Sequence, residues 1–280
     1  MLVELAIGDA YGAAFEFVDA RLTLDHELGD YAWHPWHDIA PGRYTDDTQM
    51  SIAIAELVVS GAPFTPRNVA DVFVSAFKRD PRPGYAPGFY AFLQSVHDGA
   101  AFLARIRPDS DKNGAAMRAV PLGVYPDLGL VIERTALQAR LTHDTPEGTR
   151  AALAVALAAH FLLYQLGAKA ELPAFLSSHL PGPAWGEPWY GAVDTKGHSA
   201  VRAALCLLGR ETSLGGMLAG AVRFGGDVDT VAAIALGLGA CSRETTNDLP
   251  PSLLAGLESG TYGRDFLRDL DRQLSCLVAR

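Results

Sequence analysis

The sequence predicts an all-α chain folded as one domain over residues 1–280, on three observations. Apolar residues recur at helical spacing along most of the length, and several of these segments open on a capping residue. Neither sustained period-two alternation nor an Asn-Gly hairpin turn occurs. Apolar residues make up 49% of the 280 and are spread evenly, which is enough for a sizeable core. No internal repeat or low-complexity linker divides the chain.

Taken in order, apolar-periodic segments lie near 2–15 and 46–60. Thr65-Pro66 then offers a capping hydroxyl followed by proline at the first helical position, leading through Val69 to Lys78. Residues 86–106 read as one helical segment, and Asp127 can cap 128–141. Thr145-Pro146-Glu147 repeats the capping device before a long Ala/Leu-rich helix to about Leu166, which Gly167 is expected to stop. Segments near 171–179, 197–208, 211–222, 228–241 and 262–277 complete the set. The least regular stretches, 18–44 and 181–196, are rich in Pro, Gly, Trp or His. Long loops in a compact helical domain are often functional, so both are expected to lie over a site.

The 32 acidic residues outnumber the 23 Lys and Arg, and the net charge of −9 is dispersed rather than blocked. No basic stripe tracks along the sequence, which argues against sequence-independent nucleic-acid binding. Cys206, Cys241 and Cys276 are far apart and without metal-ligand spacing, a pattern that fits a reducing compartment. Cys206 lies in an apolar run and is expected to be a buried filler. No signal-like segment is evident, and the most apolar stretch, 151–166, is too short to cross a bilayer. A cytoplasmic monomer with no membrane partner is expected.

Two stretches carry the chemistry. Thr45-Asp46-Asp47-Thr48 runs into the apolar 52–55 and, taken alone, is an ordinary helix start. Thr45 can cap, and acids suit the positive end of the helix dipole. Read for function, adjacent carboxylates in a first turn point in different directions, so each can hold a different cation with the Thr45 hydroxyl as a further hard ligand. Gly225-Gly226-Asp227-Val228-Asp229-Thr230 opens a second apolar helix with another oxygen set. Its paired glycines are expected to let a ligand approach the backbone closely. With no Cys or His among the donors, Mg²⁺ or Mn²⁺ is favoured over zinc. A third stretch, Gly8 to Phe17, sets Gly8 and Gly12 one helical turn apart and leaves Glu16 where the apolar pattern stops.

Together these residues resemble the ADP-ribosylglycohydrolase family. Its Gly-Asp-Ala-x-Gly…Glu-Phe opening is matched by Gly8 to Phe17, its Thr-Asp-Asp-Thr by Thr45 to Thr48, and its Gly-x-Asp-x-Asp-Thr by Gly225 to Thr230. Asn113-Gly114-Ala115-Ala116-Met117-Arg118 with Pro121-Leu122-Gly123 matches the family's central stretch, and Leu141-Thr142-His143 its Thr-His step before a long helix. The resemblance spans nearly the whole chain and keeps the motif order. It implies a single orthogonal multi-helix bundle and a centre of two divalent cations, Mg²⁺ or Mn²⁺. By matching position, Thr45, Asp46, Asp47, Asp227, Asp229 and Thr230 would hold them. ADP-ribose is the implied bound group, bordered by Asn113, Gly114, Met117, Arg118 and His143, with Gly225 and Gly226 as the points of close approach. Two departures stand out. Little chain precedes Gly8, and Arg82 to Phe89 offers no acid to meet a guanidinium, which leaves the released group open.

The implied reaction is metal-assisted hydrolysis of the glycosidic bond between ADP-ribose and a modified protein or other ADP-ribosylated target, with Glu16 or Asp47 moving the proton. Three other readings compete with this one. A helical Mg-dependent prenyl-diphosphate enzyme needs an Asp-Asp-x-x-Asp row, and position 50 is Met. A non-catalytic ADP-ribose reader predicts lost ligands, and none is lost. A zinc site from His26, His34 and His37 competes with the packed or covering loop suggested by Trp33, Pro35 and Trp36.

Overall fold

A computed structural model describes residues 1–19, 28–182 and 184–278. It has the all-α class that periodicity predicts; among the described residues β structure is confined to isolated bridges. The helices are α1 (Leu2–Gly12), α2 (Asp46–Ser60), α3 (Pro66–Arg79), α4 (Pro87–Ser95), α5 (Gly99–Arg105), α6 (Gly114–Met117) and α7 (Leu128–Arg140). They continue with α8 (Pro146–Leu163), α9 (Leu172–His179), α10 (Gly197–Arg210), α11 (Leu214–Phe224), α12 (Val228–Gly239), α13 (Pro251–Gly256) and α14 (Arg264–Val278).

The capping residues expected for α3, α7 and α8 act as such. Thr65 accepts from Asn68 N, Asp127 from Leu130 N and Thr145 from Gly148 N. Differences arise where a local signal is overruled. The 86–106 segment is two helices, because Asp98 caps a new start by accepting from Ala101 N. The long helix α8 ends at Leu163, with Gln165 rather than Gly167 in the left-handed conformation. Helices α6 and α13 escape periodicity because four and six residues hold too few turns to show it.

Beyond its first turn helix α12 is apolar all round, as a helix must be when every face is covered. All of its 12 residues are buried, and it packs against α1, α2, α6, α8, α10 and α11. Its most extensive partner is α1, and glycine is why the two come so close. A Cβ on Gly8 would lie 2.5 Å from Ala232 O, and one on Gly12 would strike the Asp229 backbone. The Gly8/Gly12 turn therefore presses the end of α1, and Glu16 just beyond it, against the start of α12. Cys206 is half-buried rather than a core filler, with its sulfur accepting from Trp189 N at 3.3 Å. Among the described residues no helix is long and apolar enough to cross a membrane.

Candidate active site

Three chain segments deliver acids to one cleft of about 560 Å³. The turn after α1 brings Glu16, the first turn of α2 brings Asp46 and Asp47, and the start of α12 brings Asp227, Asp229 and Thr230. Glu16, Asp227 and Asp229 can each offer an oxygen within 4.8 Å of the others, a geometry able to share an ion. From α6, Asn113 Nδ2 donates to Asp227 Oδ2 at 2.9 Å and to Thr230 Oγ1 at 3.2 Å.

These acids are crowded and mostly out of water. Burial lifts the Asp46, Asp47 and Asp229 carboxyls well above the ordinary carboxylate range, and neighbouring negative charge adds to it. Glu16 is pushed up to about 7, first by burial and then by the charges of Asp227 and Asp9. Asp47 Oδ1 is buried without any hydrogen-bond partner. A buried orphan oxygen amid mutually repelling carboxylates is unfavourable unless positive charge joins it. The donor set is all oxygen, so it fits a hard divalent cation.

Away from the acids the wall changes character. Tyr85, Phe89 and Phe92 form a run of neighbouring rings, and the Arg105 guanidinium lies 6.0 Å from the Phe92 ring. Arg107 and Lys112 also line this part, as do Gly114, Met117 and Thr195. Tyr85 is held by donating to Gln49 Oε1 at 2.7 Å.

His143 and Arg118 reach the cleft through one hydrogen-bonded chain. Arg118 lines the cleft although it is almost wholly buried; its Nε donates to Gln138 Oε1 at 2.6 Å and its Nη2 to Thr142 Oγ1 at 2.7 Å. Thr142 Oγ1 lies 2.7 Å from His143 Nδ1. The arrangement that leaves no proton unpaired has Thr142 donating to Nδ1, so His143 carries its hydrogen on Nε2. Burial, reinforced by the Arg118 charge, holds the His143 pKa down to about 3, so the ring is neutral. Arg118, itself part of the cleft lining, thus orients His143 through Thr142.

Gly225 and Gly226 correct the sequence reading, because neither lines the cleft. Gly226 has φ +81°, and a Cβ there would strike the Val193 backbone. Val193 N donates to Gly225 O and Asp227 N to Val193 O, so the close approach serves the 181–196 segment and not a ligand. The zinc alternative loses one of its donors: His34 Nε2 bonds Glu16 O and its Nδ1 accepts from Trp36 N and His37 N. His26 lies outside the described residues. Thr45 departs from expectation in a third way. It sits at the N-cap of α2, yet its hydroxyl makes no cap bond and donates instead to Asp9, a residue for which the motif alone suggested no role.

The family model described as ADP-ribosylglycohydrolase matches residues 1–279. The chain belongs to the ADP-ribosylglycohydrolase family. Within the curated relatives, the ADP-ribosyl-dinitrogen reductase glycohydrolase of Rhodospirillum rubrum is 27% identical over 289 residues, covering 98% of this chain and 93% of that protein. ADP-ribosylhydrolase ARH3 of Xenopus tropicalis is 33% identical over 177 residues, or 58% of this chain and 49% of its own. An uncharacterized protein of Archaeoglobus fulgidus is 31% identical over 165 residues, 56% and 52% of the two chains. The match thus spans about half the length of these last two relatives. A solved ADP-ribosylglycohydrolase-related protein complex superposes with a TM-score of 0.75 over 99% of this chain and 95% of that one, at 22% identity. That likeness supports the same helical fold.

Proposed function

We propose that the chain, working as a single catalytic domain, hydrolyses the glycosidic bond between ADP-ribose and a modified target, using two divalent cations, Mg²⁺ or Mn²⁺. The observation that carries this reading is the convergence of acids from two remote helix starts, with Glu16, at one side of a cleft whose remaining wall is aromatic and basic. Thr45, Asp46, Asp47, Asp227, Asp229 and Thr230 would hold the cations, and Glu16 is close enough to Asp227 and Asp229 to join them. Bound cations supply Lewis-acid orientation of a ribose diol and of water.

The residues' own work follows from their placement. Asn113 fixes Asp227 and Thr230 by donating to both, which keeps the α12 set aligned before any ligand arrives. His143 offers a neutral Nε2–H donor. Tyr85, Phe89 and Phe92 provide ring faces suited to an adenine, and Arg105, Arg107 and Lys112 supply positive charge for a diphosphate. Glu16 and Asp47 are the groups placed to take a proton from water or give one to the leaving group. Relatives whose names record ADP-ribosylated dinitrogen reductase and ADP-ribosylarginine as substrates support a protein target.

The test is a panel of ADP-ribosylated substrates, with arginine, serine, nucleic-acid and small-molecule linkages, incubated with Mg²⁺ or Mn²⁺. Release of ADP-ribose from at least one linkage, abolished by chelator, is expected. Tight ADP-ribose binding with no release from any member would show a reader instead of an enzyme.

A further inference from the structure

We infer that Asp9 is a positioning residue for the cation site: it holds the Thr45 hydroxyl so that oxygen lone pairs, and not the hydrogen, are left for a metal. The inference rests on the metal-dependent reading proposed above.

Asp9 is 0% exposed and does not line the cleft. Its Oδ1 accepts from Thr45 Oγ1 at 2.8 Å and Thr45 N at 3.1 Å. Its Oδ2 accepts from Thr48 Oγ1 at 2.6 Å, and from Thr45 N and Thr48 N at 3.0 Å each. A carboxylate has roughly four lone-pair sites. These contacts fill it, so Asp9 is committed to two residues of α2 and is not itself free to ligate.

The chemistry lies in which bond is missing. Thr65 and Thr145 cap their helices by accepting the N–H three residues on, from Asn68 and Gly148. At α2 the equivalent donor, Thr48 N, goes to Asp9 from another helix. Thr45 is thereby released from capping, and its hydroxyl becomes a donor to the Asp9 carboxyl. A hydroxyl whose hydrogen is so held presents only lone pairs to its other side, as a hard cation requires. Helix α1 packs directly against α2, which brings Asp9 within reach of Thr45 and Thr48. Asp9 also contributes negative charge to the cluster: it is among the charges that raise Asp46, Asp47 and Glu16.

The experiment is Mn²⁺ titration of the metal-free full chain by calorimetry, with melting temperature measured alongside. Asp9→Asn is expected to weaken Mn²⁺ binding by ~10-fold or more, because the amide has one acceptor oxygen for several donors and its NH₂ must turn a hydroxyl around. Thr48→Val leaves the Thr45 contact in place, and the Mn²⁺ Kd should stay within about threefold of the parent. Thr45→Val should weaken binding, and adding Asp9→Asn to it should weaken it little further, since the hydroxyl being oriented is gone. An unchanged Kd with a lowered melting temperature in Asp9→Asn would reduce Asp9 to a helix cap and overturn the inference. Fully additive losses would overturn it too, by showing that Asp9 acts through charge alone. Should Asp9→Asn not fold, Thr45→Ser decides. Held by Asp9, the serine hydroxyl should keep the parent Kd within about threefold, and a tenfold loss would mean that the β-branch of threonine sets the orientation. A parent that takes up no Mn²⁺ would sink the metal reading itself, a result distinct from all of these.

Discussion

Thr145 and Thr45 open two helices with similar local signals and do opposite things. Thr145 accepts from Gly148 N and stabilises its own helix. Thr45 makes no such bond, and its helix is capped by Asp9 from a distance. The contrast extends over the fold. Thr65, Asp98, Asp127 and Ser213 also cap their own helices. Asn113 and Asp227 hold cap positions and, like Thr45, make no cap bond. All three lie at the acid side of the cleft: Asn113 and Asp227 line it, and Thr45 immediately precedes Asp46, which does. A side chain that satisfies its own helix has its acceptor in use, while one turned away keeps that acceptor for a ligand. Among helix starts with Ser, Thr, Asp or Asn at the cap, those that decline the local bond are the ones at this site.

The strongest way to break that contrast is to remove a carboxylate from an uncapped start. Asp47→Asn or Asp227→Asn should slow hydrolysis by ~10³-fold or more, about 4 kcal/mol of barrier, read by single-turnover release of ADP-ribose. Neither should lower the melting temperature of the metal-free protein, because each relieves repulsion among buried acids. Near-parental turnover in either, at matched metal occupancy, would defeat the proposed centre.

Glu16→Gln should reduce the single-turnover rate by ~10²–10⁴-fold, the span for a positioned acid or base. ADP-ribose affinity, measured by calorimetry, should stay within a few-fold. Partial rescue by excess Mn²⁺ would assign Glu16 to metal binding rather than to proton transfer.

The acid cluster also sets an unusual pH dependence for the metal-free chain. Glu16 is raised from an ordinary 4.5 to about 7, so between those values the folded chain keeps a proton that the unfolded chain has released. Stability is therefore lost as pH rises from 4.5 through 7, the reverse of a salt-bridged carboxylate. Thermal melts in chelator should give a lower melting temperature at pH 8 than at pH 5, and saturating Mn²⁺ should shrink the difference. A flat profile in chelator would show that the acids do not repel one another as their burial implies.

The smallest effect separates the two threonines directly. Thr145→Ala should cost ~1 kcal/mol of stability in denaturant titration and leave Mn²⁺ binding alone. Thr45→Ala should do the converse, losing metal affinity with little cap energy to lose. Equal destabilisation by both, with metal binding intact, would erase the distinction.

The all-α class is legible in the sequence, since periodicity and caps such as Thr65, Asp127 and Thr145 act within a few residues. It also marked both acidic helix starts, because Asp46, Asp47, Asp227 and Asp229 keep their local spacing whatever surrounds them. Which remote residue meets the α2 start is a matter of tertiary packing. Asp9 meets Thr45 and Thr48 across 36 and 39 positions of chain, which no local pattern encodes. Gly226 looked like a ligand-facing glycine until Val193 was found against it, and 86–106 looked continuous although Asp98 opens a second helix within it. For Asp9 and Gly226 the packing of remote segments chose between outcomes that the local signal allowed, whereas the second helix in 86–106 rests on the local cap of Asp98.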